Sequence, residues 1–150
     1  MKNITLVLIA LGLVACKGNA TQASQNAERQ NTVVEQTSAI PTGVQVLQPD
    51  ETYNVDQAPG HLVVIDFNAV WCAPCLRFMP IFEQAAEKYH GKVEFISVNV
   101  DQHQELVQQL GISSIPFIVF IQPDGKLNTW VGFLPETEFY KAIDQFLAQK

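Results

Sequence analysis

The chain has 150 residues, of which 47% are hydrophobic, and carries a net charge of −6. That is room for one domain with a real core plus some extra chain. An acidic balance with no cluster of Lys or Arg excludes a nucleic-acid binder, because phosphate backbones call for concentrated positive charge.

The chain begins with a weakly positive start at Lys2, followed by a nearly unbroken apolar run from Ile4 to Val14. A membrane-spanning helix needs about 20 such residues. This run is shorter and fits the core of a signal peptide. It ends in Leu13-Val14-Ala15-Cys16, which resembles the lipobox of bacterial lipoproteins. The resemblance implies a signal peptide over 1–15, acylation of the Cys16 sulfur, and a cell-envelope protein held to the membrane by its lipid. Lys17 after the cysteine leans, by the same resemblance, towards the outer membrane rather than the inner. Cleavage after Ala20, which would release a soluble product, is one alternative; an uncleaved anchor is another. Acylation also accounts for the odd number of cysteines, since Cys16, Cys72 and Cys75 are the only three.

Residues 16–43 are then read as a lipidated flexible tether. From Lys17 to Gly43 the chain is rich in Gln, Asn, Ser, Thr and Ala and has no aromatic residue. It cannot bury enough surface to offset its ordering entropy. A weak helix from Ala23 to Glu35 is the alternative.

Residues 44–150 carry the folded pattern. Val44 to Leu47 reads as a short edge strand, and Asp50 to Gln57 as one or two helical turns. Leu62-Val63-Val64-Ile65-Asp66-Phe67 is a continuous apolar run of the kind a strand buried on both faces needs, interrupted by one carboxylate. Phe78, Ile81, Phe82, Ala85, Ala86 and Tyr89 then recur at helical spacing, with Gly91 as the stop. Pro80 lies inside that helix and should kink it. Val93 to Val100 is a strand, and Gln102 to Leu110 a short helix with Leu106, Val107 and Leu110 inward. Phe117 to Ile121 and Lys126 to Gly132 are strands joined by the turn Pro123-Asp124-Gly125. Phe139, Ile143, Phe146 and Leu147 mark a last amphipathic helix after Pro135. Early alternation implies parallel crossovers and the late hairpin an antiparallel edge. The fold class is α/β, a central mixed sheet with helices.

The chemistry centres on Trp71-Cys72-Ala73-Pro74-Cys75, at the junction of the buried strand and the long helix. A cysteine at a helix N-terminus gains from free N–H groups and the helix dipole, both of which favour its thiolate. A second cysteine one turn along can close a small disulfide ring. Pro74 suits the first turn, where its missing N–H costs nothing.

Taken in order, Val63 to Phe67, Trp71 to Cys75, Pro80, Gly111-Ile112-Ser113-Ser114-Ile115-Pro116 and Gly132 resemble thioredoxin along the whole of 44–150. The resemblance implies the thioredoxin fold, helices on both faces of its sheet, within a thioredoxin-like bacterial lipoprotein. It implies a thiol–disulfide oxidoreductase with Cys72 and Cys75 as its redox-active disulfide. Cys72 is the exposed attacking sulfur and Cys75 the buried resolving one. Asp66 exchanges a proton with Cys75; a structural, hydrogen-bonded Asp is the competing reading. Ile115-Pro116 is the family's cis-proline loop, whose backbone pairs with an extended client. Trp71 either contacts clients or is a plain core aromatic. Four positions depart from the family: Asn68 for tryptophan, Ala73 for glycine, Ser97 for a lysine near the buried aspartate, and Phe117 for threonine.

No charge lies between the cysteines, which favours a reductant over an oxidant. The expected partners are exported proteins with disulfides and an unidentified electron donor, since an exported reductant needs electrons from elsewhere. No flavin or nicotinamide fingerprint is present, so no cofactor is expected. Disulfide oxidation or isomerisation is the second reading. A non-catalytic adaptor, or one binding copper through the cysteine pair, is a third. No metal is expected: one Cys-x-x-C lacks four ligands, and His61, His90 and His103 are spread between elements.

Overall fold

The computed structural model describes residues 39–149. The signal peptide, Cys16, most of the tether and the alternative helix from Ala23 to Glu35 lie outside those residues. Residues 39–43 lead without regular structure into β1 (Val44–Val46), followed by β2 (Leu62–Asn68), α1 (Ala73–Lys88), β3 (Val93–Asn99), α2 (Gln104–Gln109), β4 (Phe117–Ile121), β5 (Leu127–Val131) and α3 (Glu136–Ala148).

The five strands form one sheet in the order β1-β3-β2-β4-β5. β1 and β2 both run parallel to β3, whereas β4 is antiparallel to β2 and β5 to β4. β2 is thus central, and its seven residues are buried except for the half-buried Asn68. That explains the unbroken apolar run: with a neighbour on each side and helices or loops over each face, no residue of β2 can point to water.

Alternation along β2 divides the core in two. Leu62 and Val64 join Phe95, Ile118 and Phe120 beneath α1 and α3, where Phe78, Phe82, Phe139 and Ile143 are packed. Val63, Ile65 and Phe67 face the other way, with Ile96, Val98, Val119 and Leu106 of α2. Helices therefore cover both faces. The first cluster is an aromatic knot: the Phe78 ring lies 5.1 Å from Phe139 and 5.9 Å from Phe82, edge-on or tilted as the ring quadrupole prefers.

One expectation changes. Asp50 to Gln57 is not helical; the chain makes two separate turns, at Pro49-Asp50 and at Val55-Asp56. Asn54 Oδ1 accepts the Asp56 N–H at 3.0 Å, and the Glu51 carboxylate accepts the Gln48 N–H at 2.8 Å. Such local side-chain bonds give the backbone an alternative to a helix. Val55 is still buried, so the segment caps the second cluster without regular structure. α1, meanwhile, runs as one element through Pro80, which has no N–H to offer the Leu76 carbonyl.

Candidate active site

The site forms where β2 ends and α1 begins. After Asn68 the chain turns through Ala69, Val70 and Trp71, and the Cys72 N–H donates to the Ala69 carbonyl at 3.1 Å. Cys72 is the N-cap of α1, in extended backbone, and Pro74 lies in the first turn. Cys72 and Cys75 are joined in a disulfide, with Cα atoms 5.2 Å apart. The Cys75 N–H points at Cys72 Sγ across 3.2 Å. In the reduced protein that sulfur is the thiol or thiolate, and a free helix N–H aimed at it favours the anion.

Cys72 is not openly exposed as expected. It is 4% accessible against 2% for Cys75, so only a sliver reaches the surface. The reason is the collar around the disulfide: Ala69 joins the two cysteines in a small buried cluster, and Val100 and Ile115 pack against that cluster. A partner sulfur must approach along the Cys72 side, pressed against apolar groups.

Trp71 is not a core residue: it is 65% exposed, and its indole N–H donates to Asp101 Oδ2 at 2.9 Å. The Ile115–Pro116 peptide bond is cis. Pro116 is buried, and its carbonyl accepts the Gly132 N–H at 2.8 Å, which ties the loop to the end of β5. Trp71, Val100, Val107, Ile112 and Ile115 line a hollow of about 360 Å³ beside the disulfide. A wider hollow of about 740 Å³, between Leu47, Tyr53 and His103, shares no residue with the collar around the disulfide.

Asp66 is 3% exposed, on the face of β2 that Val64 shares, opposite Ser97 of β3 and Ile118 of β4. Burial raises its carboxyl from 3.8 to about 7, and a hydrogen bond from Asn68 pulls it part of the way back. The Asn68 amide lies 3.1 Å from Asp66 Oδ2 and 2.8 Å from Ser97 Oγ. Asp66 Oδ1 is buried and has no hydrogen-bond partner among the described residues. A carboxyl group poised near neutrality can both take up and release a proton at working pH.

The three histidines sit apart from this chemistry. His61 pairs with Glu94 at 2.7 Å, buried His103 donates from Nε2 to the Leu47 carbonyl at 3.2 Å, and His90 is exposed beyond α1. Two participants were not foreseen. Asn68 lies two residues from Asp66 and so shares its face of the strand, a signal the strand period does carry. Asp101 is thirty residues from Trp71 and meets it because β2 and β3 end side by side, Asn68 opposite Asn99; nothing local announces that contact.

A family model described as Thioredoxin matches residues 44–145. A thioredoxin of Borreliella burgdorferi is 42% identical over 83 residues, covering 55% of this chain and 71% of that relative. A thioredoxin of Chlorobaculum thiosulfatiphilum is 38% identical over 85 residues, covering 57% and 79%. Among solved structures, the thioredoxin of Malassezia sympodialis superposes with a TM-score of 0.62 at 33% identity, covering 75% of this chain and 99% of that one. A chloroplastic thioredoxin z superposes at 0.64 with 28% identity, covering 73% and 98%.

Proposed function

The chain belongs to the thioredoxin family and is a thiol–disulfide oxidoreductase, and from that premise we propose that it reduces disulfides of exported proteins while held to the bacterial cell envelope by lipid on Cys16. The disulfide at the mouth of α1, with the Cys75 N–H aimed at Cys72 Sγ, carries the chemistry. The Cys72 thiolate attacks a client disulfide sulfur; one client sulfur leaves as thiolate and the other stays bound to Cys72. Cys75 gives its proton to Asp66 and attacks Cys72 Sγ. The client's second sulfur departs with the electron pair, and the Cys72–Cys75 disulfide is restored. Two electrons pass from the cysteine pair to the client. Trp71 and the Ile115 backbone flank Cys72 as the surface on which an extended client lies.

The uncharged Ala73-Pro74 pair supports the reducing direction, because a cation there would favour the Cys72 thiolate and turn the disulfide into a strong oxidant. Equilibration with glutathione tests this. The reading expects a potential near the about −270 mV typical of thioredoxin, and a value near the about −120 mV of dedicated periplasmic oxidants overturns it. Leu13-Val14-Ala15-Cys16 supports the anchor. Detergent phase partitioning of the full chain against Cys16→Ser tests it: the parent enters the detergent phase and the variant stays in water. Equal partitioning removes the lipid. A reductant in that compartment needs a membrane-delivered electron donor.

A further inference from the structure

We propose that Asn68, braced by Ser97, is a positioning residue that engages Asp66 Oδ2 and leaves Oδ1 as the open acceptor for the Cys75 proton. This rests on the reading of Asp66 as that acceptor.

The Asn68 side-chain amide has two hydrogens and three acceptors in range: Asp66 Oδ2 at 3.1 Å, Ser97 Oγ at 2.8 Å and the Asp66 carbonyl at 3.2 Å. Ser97 stands opposite Asp66 in the β2–β3 register, so it fixes the amide from the neighbouring strand. The amide is therefore held on one carboxylate oxygen. The other oxygen is buried and unpartnered among the described residues.

Among the described residues, no buried side chain on this face is a cation; Lys141 of α3 lies at its outer edge, beside Phe120 and Trp130. β3 contributes Phe95 and Ser97, β4 contributes Ile118 and Phe120, and the buried side of α3 is Phe139 and Ile143. Of the buried side chains of α1, only Cys75 can titrate. Asp66 thus has one charge-favouring contact, a neutral amide, working against burial. A hydrogen bond to an ionised group is stronger than one between neutral groups, so the amide favours the carboxylate. In the resolving step the Cys75 S–H bond breaks and its proton bonds to Asp66 Oδ1. The Cys75 sulfur bonds to Cys72 Sγ, and the client sulfur takes the electron pair of the broken disulfide. Without the amide, fewer molecules hold Asp66 as carboxylate at neutral pH, and both oxygens compete for the proton.

The test is the titration of the Asp66 carboxyl carbon by ¹³C NMR in the disulfide form, where Cys75 does not titrate, paired with single-turnover reduction of insulin by the reduced full chain. Asn68→Leu removes the donor and keeps the branched shape of the side chain. The midpoint should rise by about one pH unit, the effect of losing one charge-assisted hydrogen bond. Resolution at pH 7 should fall roughly fivefold and recover by about pH 9, as the ionised fraction dictates. Adding Ser97→Lys to Asn68→Leu should bring the midpoint down again, a rescue by charge that no purely structural role predicts. If Asn68→Leu does not fold, Ser97→Ala loosens the same brace and should raise the midpoint by a smaller amount. An unmoved midpoint in whichever of these variants folds overturns the proposal, as does a lysine that fails to lower it. Asp66→Asn separates the two failures. Resolution left unslowed by Asp66→Asn removes the acceptor role and this proposal with it; slowed resolution with unmoved midpoints removes the positioning alone.

Discussion

Replacing Asp66 by Asn should stabilise the protein, and by an amount that grows with pH. In the folded chain burial raises the Asp66 carboxyl from 3.8 to about 7. The folded state therefore holds a proton between those values that the unfolded chain has released. Stability from this group is complete below 3.8 and is lost as pH rises through about 7. The shift is about three units, and at about 1.36 kcal/mol per unit the loss reaches about 4 kcal/mol. Asp66→Asn keeps the shape, has no proton to lose and escapes the penalty. Urea unfolding of both proteins, with the disulfide intact, at steps from pH 3.5 to 8.5 measures the difference directly. With a slope of about 1.5 kcal/mol per molar urea, the variant's midpoint should move ahead of the parent's by roughly 2.5 M across that range. Taking the difference between the two removes the pH dependence of all other groups. A difference that stays flat, or shrinks as pH rises, would refute the assignment of a buried, penalised carboxylate at position 66. On the proposed reading of Asp66 as the proton acceptor, the same substitution should slow the resolving step, so stability and resolution should move in opposite directions.

Phe78 is fully buried and its ring meets those of Phe82, Phe133 and Phe139; Phe78→Ala should cost about 3–5 kcal/mol in urea unfolding, and a cost under about 1 kcal/mol would mean the knot repacks. Asp101 and Trp71 are exposed apart from their mutual bond, so Asp101→Ala should cost no more than about 1 kcal/mol of stability. It should raise the KM for insulin roughly fivefold while leaving kcat near the parent value, because a released indole no longer flanks Cys72; an unchanged KM would take Trp71 out of the client surface.

The core elements could be read in the sequence because each carries its own period. The β2 run from Leu62 to Phe67 has no neighbour that faces water, so its pattern needs no partner to be recognised, and the α1 spacing from Phe78 to Tyr89 is set by the helix alone. Cys72 and Cys75 were legible for the same reason, as their geometry is fixed by one turn of helix. What resisted was set by packing between distant segments. The irregular course of Asp50 to Gln57 depends on Asn54 and Glu51 choosing backbone N–H groups over a helix. The near-burial of Cys72 depends on Val100 and Ile115, which arrive from the turn after β3 and from the cis-proline loop. Asn68 was visible as a departure from the family, yet its role emerged only when β3 placed Ser97 within 2.8 Å of it.

The division of labour between the two sulfurs is tested most directly by trapping. Full-length Cys75→Ala, expressed in a bacterial host and isolated with thiols blocked, should carry client proteins bound to Cys72 that dithiothreitol releases, whereas a Cys72→Ala, Cys75→Ala double variant should carry none. Adducts absent from the single variant, or equally abundant on the double variant, would contradict the account.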